Sequence, residues 1–476
     1  MAVRHILRYS LALGALLSLG SCKKFLNINT DPNHPLSVPE SLILPPVEIT
    51  LGTQVVGGYN GATNGYWMQQ ISINQTAPTV ETYRILPLDV NNSWNAYIYP
   101  NVLNNLNNMV NQAEATNHYQ YVAIGKTLMA YTFAIATDTW GDIPFSQAFN
   151  PSQYPKPVYD AQASIYSGIQ KLLDSAIQYS NKTSVVAPAG DDYIYSGDMG
   201  HWRKLMYMLK ARFYLRLSNA PGRTAALQAD SALTAIQNGF TANSDNTMIP
   251  YTGAAGGETP WYENTLPGAG GVVLGASFID SLIARNDPRL PIIATTNKSG
   301  SYVGRPAGIA AVSDPSVFSY INTFYGGYID GVNVAGAAAP LYLATYTEQL
   351  FIQAEATFIK SGATAADPIY RAAIKAHMDM LGVSAANEAT YLASRPALTS
   401  ANALQNIINE KYVADFLGLE PYNDWRRTGF PKLALAQNAY LPYIPLRYPY
   451  GSTTILANPQ PQQSATLNTP VWWNSK

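Results

Sequence analysis

The chain has 476 residues and a formal net charge of −1 at pH 7, with 29 Lys and Arg against 30 Asp and Glu. This balance excludes the strongly basic surface with which proteins neutralise the phosphates of nucleic acids. Only 12% of the residues are charged, where about 25% is typical, whereas Tyr alone numbers 33. Hydroxyls and amides therefore dominate the polar residues, and they suit a neutral ligand better than a charged one.

The first segment has the order of a bacterial signal peptide. Arg4 and Arg8 form a short basic start, and apart from Arg8 the stretch from Ile6 to Leu19 is almost wholly apolar or small. This stretch is shorter than the roughly 20 apolar residues that a bilayer-spanning helix needs. Leu19-Gly20-Ser21-Cys22 then resembles the lipobox, in which cleavage exposes the cysteine for acylation. We therefore predict a signal peptide over residues 1–21 and a lipid anchor on Cys22, the only cysteine.

A lipidated N-terminus and tether over residues 22–39 is predicted to lead into one α-helical domain over residues 40–476. Apolar residues recur at i+3 and i+4 from Val102 to Ala113 and from Ile124 to Ile135, on either side of Thr116 and Asn117. This spacing predicts an antiparallel helical hairpin. It also predicts helices near residues 165–176, 205–213, 224–238, 277–285, 343–358, 370–381 and 404–412. The expected fold class is mainly α, with tetratricopeptide-like hairpins in a superhelical scaffold whose long irregular loops carry the ligand surface.

Helical periodicity mostly vanishes between residues 240 and 340, where Gly and Pro are frequent. We predict a loop-rich insertion there, interrupted by the helix near residues 277–285. Long segments without regular structure are usually functional or disordered, so this insertion is an expected location for a site. The tail after Pro431 is also Pro-rich and irregular.

Aromatic and amide side chains cluster in the segments expected to be loops. A sugar presents a C–H face to an aromatic ring and hydroxyls to a neighbouring amide, so this combination favours a glycan ligand. A neutral peptide fits such a surface as well. The predicted ligand-binding residues are Tyr66, Trp67, Gln69, Trp94, Trp261, Tyr262, Tyr325 and Tyr328.

Two pairs of acidic residues have the spacing of an acid–base couple, but neither favours an enzyme. Asp138 and Asp142 surround Trp140-Gly141, which is expected to break a helix, so a turn or cap is the preferred interpretation. Glu258 and Glu263 flank Trp261-Tyr262, which suits a sugar subsite better than a glycosidase pair. A surface hydrolase that uses these two glutamates is the alternative hypothesis.

Other candidate sites also have simpler explanations. Arg426 and Arg427 with Asp424 could clamp a carboxylate, but an ion pair that closes the last hairpin is the preferred interpretation. Gly268, Gly270, Gly271 and Gly275 lack the strand and helix of a dinucleotide loop. The histidines have no metal-ligand spacing, so neither a metal nor a cofactor is predicted; they are His5, His34, His118, His201 and His377.

Several segments resemble the SusD/RagB family of nutrient-binding outer-membrane lipoproteins. The first is the stretch from Cys22 to Asn33, which is similar to the mature start of these proteins. The others follow in order along the chain and are Asp138–Phe145, Leu209–Arg216, Asp287-Pro288-Arg289, Glu348–Ala356 and Asn423–Gly429. Each motif is weak alone, but together they cover nearly the whole mature chain.

The resemblance implies a non-enzymatic surface lipoprotein that is held in the outer membrane by its lipid and faces the cell exterior. It also implies a partner, a SusC-like TonB-dependent transporter that receives the captured oligosaccharide, or a peptide in the alternative. A lid that binds nothing itself is a further alternative. Because ligand residues in this family lie in variable loops, the resemblance assigns none of them.

Overall fold

The computed structural model describes residues 38–266, 271–328 and 336–474. The predicted signal peptide, the Cys22 anchor and almost all of the tether lie outside these residues. The α-helices described are α1 (Glu40–Thr50), α2 (Tyr59–Trp67), α3 (Asn105–Ala115), α4 (Tyr119–Trp140), α5 (Gln162–Ser180), α6 (Met199–Arg216), α7 (Ala225–Ile236), α8 (Pro260–Thr265), α9 (Ala276–Ala284), α10 (Leu290–Ile293), α11 (Tyr346–Ser361), α12 (Ala363–Leu381), α13 (Ala385–Ser394), α14 (Ala403–Ala414), α15 (Glu420–Thr428) and α16 (Ser452–Ala457). The fold is mainly α, as predicted.

The predicted hairpin is confirmed: α3 and α4 lie against each other. A Cβ atom added to Gly125 of α4 would lie 2.4 Å from a methyl carbon of Val110 on α3, so glycine permits this close approach. Later helices also pack in neighbouring pairs: α4 packs against α5, α6 packs against α7, and α11 packs against α7, α12 and α14. This succession of paired helices is consistent with the predicted tetratricopeptide-like arrangement.

The larger of two hydrophobic clusters among the described residues runs through the scaffold from Leu44 to Trp473, and the smaller one lies among α11, α12, α13 and α14. Most side chains of α4 are buried around its whole circumference, because helices pack on several of its sides. None of the helices in the described parts of the chain is both long and apolar enough to cross a bilayer.

Two small antiparallel sheets fasten the loop-rich insertion to this scaffold. One pairs β1 (Ile71–Ile73) with β3 (Val272–Leu274), and the other pairs β2 (Thr247–Ile249) with β4 (Leu341–Ala344). The insertion also holds the predicted helix, α9, and the shorter α8 and α10. These sheets attach the described residues of the insertion to the scaffold. A bridge from Gly275, just after β3, to Arg305 then brings β1 and the residues after it beside the segment near residue 305.

Candidate functional site

Three of the predicted ligand-binding residues are tryptophans, and the structure places all three in the core. Trp67 is fully buried, its Nε1 donates to the Val80 carbonyl at 2.9 Å, and its ring packs edge-on against Tyr422 and Tyr448. Trp94 and Trp261 are only 6% and 2% exposed. Because their faces are covered by protein atoms, the packing contradicts the prediction that a sugar stacks on these rings. The segment with Trp67, expected as a loop, forms α2.

Three further predicted residues are buried as well, and the prediction of ligand contact is corrected for them too. Tyr66 is 5% exposed. The Tyr325 hydroxyl lies 3.2 Å from Nε2 of the buried His377. Gln69 donates from Nε2 to the Ala434 carbonyl at 2.6 Å and accepts a hydrogen bond from Ser277. Gln69 therefore holds the tail segment against the body instead of facing a ligand.

Tyr262 and Tyr328 are the two predicted residues that the structure brings together at a half-buried position. Their rings meet edge to face with centroids 5.6 Å apart. The Tyr328 N–H donates to Oγ1 of Thr265 at 2.8 Å, which joins the end of α8 to the segment before residue 329. These two rings stay candidates for ligand contact.

An open groove of about 580 Å³ lies where three distant segments meet, and we call it the strap groove. Its lining includes Thr76, Pro78, Gly308, Asn438 and Tyr440. The Tyr440 side chain is 59% exposed, although its own N–H is fixed by the Thr82 carbonyl at 2.8 Å. A ring held by a fixed backbone and open to solvent is available for stacking.

Hydrogen bonds between the segments make the groove a defined surface. The Gln437 N–H donates to the Ala307 carbonyl at 2.8 Å, and Nδ2 of Asn438 donates to the Gly308 carbonyl at 3.1 Å. Gly308 has φ of +80°, and a Cβ atom there would lie 1.8 Å from the Gln437 carbonyl oxygen. Only glycine fits this crossing of the two chains.

A buried ion pair supports the same groove from below. The side chains of Glu81 and Arg305 are both fully buried, and their charged groups are 3.0 Å apart. The Glu81 carboxylate also accepts from the Gly308 N–H at 2.9 Å and the Ile73 N–H at 3.3 Å. The pair therefore joins β1 to the loop that contains Gly308. Because the ion pair is buried and has these additional hydrogen bonds, it fixes the position of that loop.

The strap groove has an exposed ring beside amide and hydroxyl groups, which is the chemistry expected of a sugar site. Its residues, among them Tyr440, Asn438 and Thr76, are not among those predicted from the sequence. The signal was present in Asn438-Ala439-Tyr440. The Pro-rich composition of the tail predicts an irregular segment but does not indicate which of its side chains are exposed.

Three of the four acidic residues that were catalytic candidates, Asp138, Asp142 and Glu258, have structural partners. Asp138 is buried within α4, where it pairs with Arg216 and accepts hydrogen bonds from the Tyr166 hydroxyl at 2.5 Å and Trp473 Nε1 at 2.7 Å. Burial raises the pKa of Asp138 above its ordinary value, although Arg216 opposes that shift. The predicted break at Trp140-Gly141 comes just after this residue, so Asp138 belongs to a helix and not to a turn.

Asp142 and Glu258 also accept hydrogen bonds from backbone N–H groups. Asp142 accepts the Gln162 N–H at 2.9 Å at the start of α5, as the predicted capping role requires. Glu258 accepts the Gly256 N–H at 2.6 Å within a turn. Both contacts have a structural role.

Arg427 lies in a buried charge network, which agrees with the preferred ion-pair interpretation. Arg426 instead donates to the carbonyls of Asp138 and Leu446 and to the Asn423 side chain. Arg427 binds both Glu355 and Asp424, and Lys411 lies 2.6 Å from Asp424. Burial alone would raise the pKa of Asp424, but Lys411 and Arg427 together hold it below its ordinary value. Arg212 and Glu348 form a further pair at 2.5 Å.

A cavity of about 60 Å³ lies beside this network. Asp415 lines it, and one of its carboxylate oxygens is buried without a hydrogen-bond partner. Burial, together with repulsion from Glu348, raises the pKa of Asp415 well above its ordinary value. Among the described residues, no cluster of His, Cys, Asp and Glu has the arrangement of a metal site.

Comparison with known sequences identifies one family. The model of the SusD-like family described as "Starch-binding associating with outer membrane" matches residues 32–451. The motifs in this range that carry the resemblance supply most of the buried charge network, including Asp138, Arg216, Glu355 and Arg427. None of the curated proteins matches the chain.

Solved structures agree on the fold. A chitin-binding protein superimposes with a TM-score of 0.77 at 21% identity, over 92% of this chain and 100% of that one. A SusD/RagB family protein from Bacteroides thetaiotaomicron gives 0.76 at 24% identity, over 92% and 99%. A SusD homologue from Bacteroides fragilis gives 0.76 at 20%, over 92% and 100%.

Proposed function

We propose, since the chain belongs to the SusD-like family, that it is a non-enzymatic outer-membrane protein that captures an oligosaccharide and passes it to a SusC-like TonB-dependent transporter. The family match supports nutrient binding, and the chitin-binding structural relative supports a glycan as the nutrient. The observation that carries the proposal is the strap groove, where Tyr440 exposes its ring beside Asn438 and Thr76.

The expected affinity follows from the area of one ring. Covering a face of Tyr440 removes on the order of 100 Å² of apolar surface, which contributes about 2 to 3 kcal/mol before the costs of ordering are subtracted. A single stack therefore gives weak binding, and an oligomer with several contacts reaches the micromolar-to-millimolar range. Weak binding suits a protein that must release its ligand again.

Calorimetric titration with chitin and starch oligosaccharides tests this assignment. Tyr440→Ala is expected to weaken binding by about tenfold, because it removes the stacking face, whereas Tyr440→Phe should bind nearly as the parent does. Tyr193→Ala is the matched control, since Tyr193 is 44% exposed and lies in another segment. Equal affinities of Tyr440→Ala and the parent protein for the glycans would show that the strap groove is not the binding site. If the protein binds members of a peptide library and none of the glycans, the peptide alternative is favoured.

The membrane attachment is part of the proposal and rests on the sequence around Cys22, which lies outside the described residues. A lipid on Cys22 keeps the protein at the outer membrane. Cells grown with a labelled fatty acid are expected to label the parent protein and not Cys22→Ala, which should leave the membrane fraction. Labelling of both would place the anchor elsewhere.

Delivery to a transporter is tested by co-purification. The protein, tagged and extracted from cells in mild detergent, is expected to bring a TonB-dependent barrel with it. Recovery of the protein alone under conditions that keep other outer-membrane complexes intact would contradict this step.

A further inference from the structure

A second surface groove of about 350 Å³ lies between α9 and α14, and we call it the interhelix groove. Its lining includes Ser277, Ser281, Arg285, Gln405, Asn409 and Lys432. Ser277 and Ser281 are one turn apart along α9, and Gln405 and Asn409 are one turn apart along α14, so each helix turns a polar stripe towards the groove. Its volume is within the usual range of small-molecule sites.

One atom of this lining lacks a partner. Oδ1 of Asn409 is shielded from solvent and accepts no hydrogen bond within the described residues. A buried acceptor without a donor is unfavourable, and a hydroxyl group of a bound molecule would satisfy it. The Ser281 hydroxyl already donates to the Phe278 carbonyl at 2.7 Å, so towards the groove it can still accept.

The charged residues of the lining are both positive. Lys432 is exposed, and its ammonium group lies 4.8 Å from the centre of the Phe430 ring without an ion pair to any described acid. Arg285 donates from Nε to the Ser281 carbonyl at 2.9 Å and from Nη1 to Glu410 at 3.0 Å. Its Nη2 has only a 3.9 Å contact with Asp287, which leaves donors for another anion.

We propose that the interhelix groove binds the carboxylate of an acidic sugar, with Lys432 and Arg285 at the carboxylate and Asn409 at a ring hydroxyl. No acidic side chain lines the groove itself, and the two acids that contact Arg285, Asp287 and Glu410, are also paired with Arg289. A charge-assisted hydrogen bond is stronger than a neutral one, and here a neutral sugar would leave Lys432 unpaired. A uronic acid combines the carboxylate and hydroxyls that this lining can bind.

This inference rests on the proposed function for the kind of ligand, a glycan, and adds that the glycan carries carboxylates. It also modifies the expectation from composition that the ligand is neutral. Although the chain has few charges, both charged residues that line this groove are cations. Pro431–Leu433 at this groove and Asn438–Tyr440 at the strap groove belong to the same C-terminal segment of the chain.

Calorimetry with matched acidic and neutral oligosaccharides tests the groove in the full chain. The probes are tetramers of galacturonate, glucuronate and mannuronate, and the same tetramers with their carboxyl groups reduced to alcohols. At least one uronate is expected to bind about tenfold tighter than its reduced form, and the difference should shrink as salt rises from about 0.05 to 0.5 M. Lys432→Gln should remove most of this preference, whereas Lys432→Arg should keep it.

Controls separate this result from the general function. Lys156→Gln, at another exposed lysine, should keep the preference for the uronate. If neutral glycans bind and depend on Tyr440 but no uronate is preferred, the acidic subsite is refuted and the proposed function stands. If only uronates bind, and Lys432→Gln abolishes that binding, the subsite stands and the neutral ligand is refuted. If the preference is the same in Lys432→Gln as in the parent protein, the assignment to this groove is wrong.

Discussion

Replacement of Arg305 by Met tests how the strap groove is held in place. The guanidinium is fully buried and donates to Glu81 at 3.0 Å, to the Ser72 hydroxyl at 2.8 Å, and to the carbonyls of Gln75 and Ile309. Met fills much of the volume but leaves the Glu81 carboxylate buried without its cation. Removing one partner of a buried ion pair costs about 3 to 5 kcal/mol. That is a large part of the roughly 5 to 15 kcal/mol by which a domain is stable.

The assay is urea unfolding followed by circular dichroism, with Arg305→Met, Glu81→Gln and the double variant forming a cycle. We expect a coupling free energy of about 1 to 3 kcal/mol between the two sites. Lys360→Met is the control, because Lys360 pairs with Asp230 where both side chains are about half exposed, and such a pair contributes about 1 kcal/mol at most. A loss below about 1 kcal/mol for Arg305→Met, or no coupling in the cycle, would refute the argument.

Three further predictions follow from the packing. Gly308→Ala should lower the free energy of unfolding by at least about 1 to 2 kcal/mol and weaken glycan binding, because the residue has φ of +80° and the new Cβ would meet the Gln437 carbonyl. Urea unfolding and calorimetric titration of the same preparation measure the two effects, and an unchanged affinity would contradict the prediction. Trp67→Ala should cost about 3 to 5 kcal/mol in urea unfolding as a core residue, and a fully stable variant would show that the ring is not packed as described. Asp415 has a folded-state pKa raised by burial and by Glu348, so the folded state holds its proton more tightly and stability should fall as pH rises above the ordinary Asp pKa. Asp415→Asn should reduce that fall in unfolding free energy between about pH 5 and pH 8, and identical slopes for parent and variant would count against the raised pKa.

Local sequence patterns determined the helices and the family. The 3.6-residue spacing of apolar side chains predicts α3 and most later helices, because a helix at the surface buries one stripe whatever its partner is. The same spacing also predicts α4, although that helix is buried on all sides. The run of motifs likewise predicts the SusD-like fold before any contact is known. The ion-pair interpretation of Arg426 and Arg427 was correct in kind for Arg427, but its partner Glu355 lies 72 residues away and could not be named.

Only the tertiary structure decided which rings face solvent. Trp67 and Tyr440 are both aromatic residues near amides, and no local pattern distinguishes them. Trp67 is enclosed by Tyr422 and Tyr448, more than 350 residues later in the chain, whereas Tyr440 is held at the surface by Thr82. Burial is decided by such long-range contacts, so the sequence by itself determined the scaffold and its chemistry, and the fold selected which residues could meet a ligand.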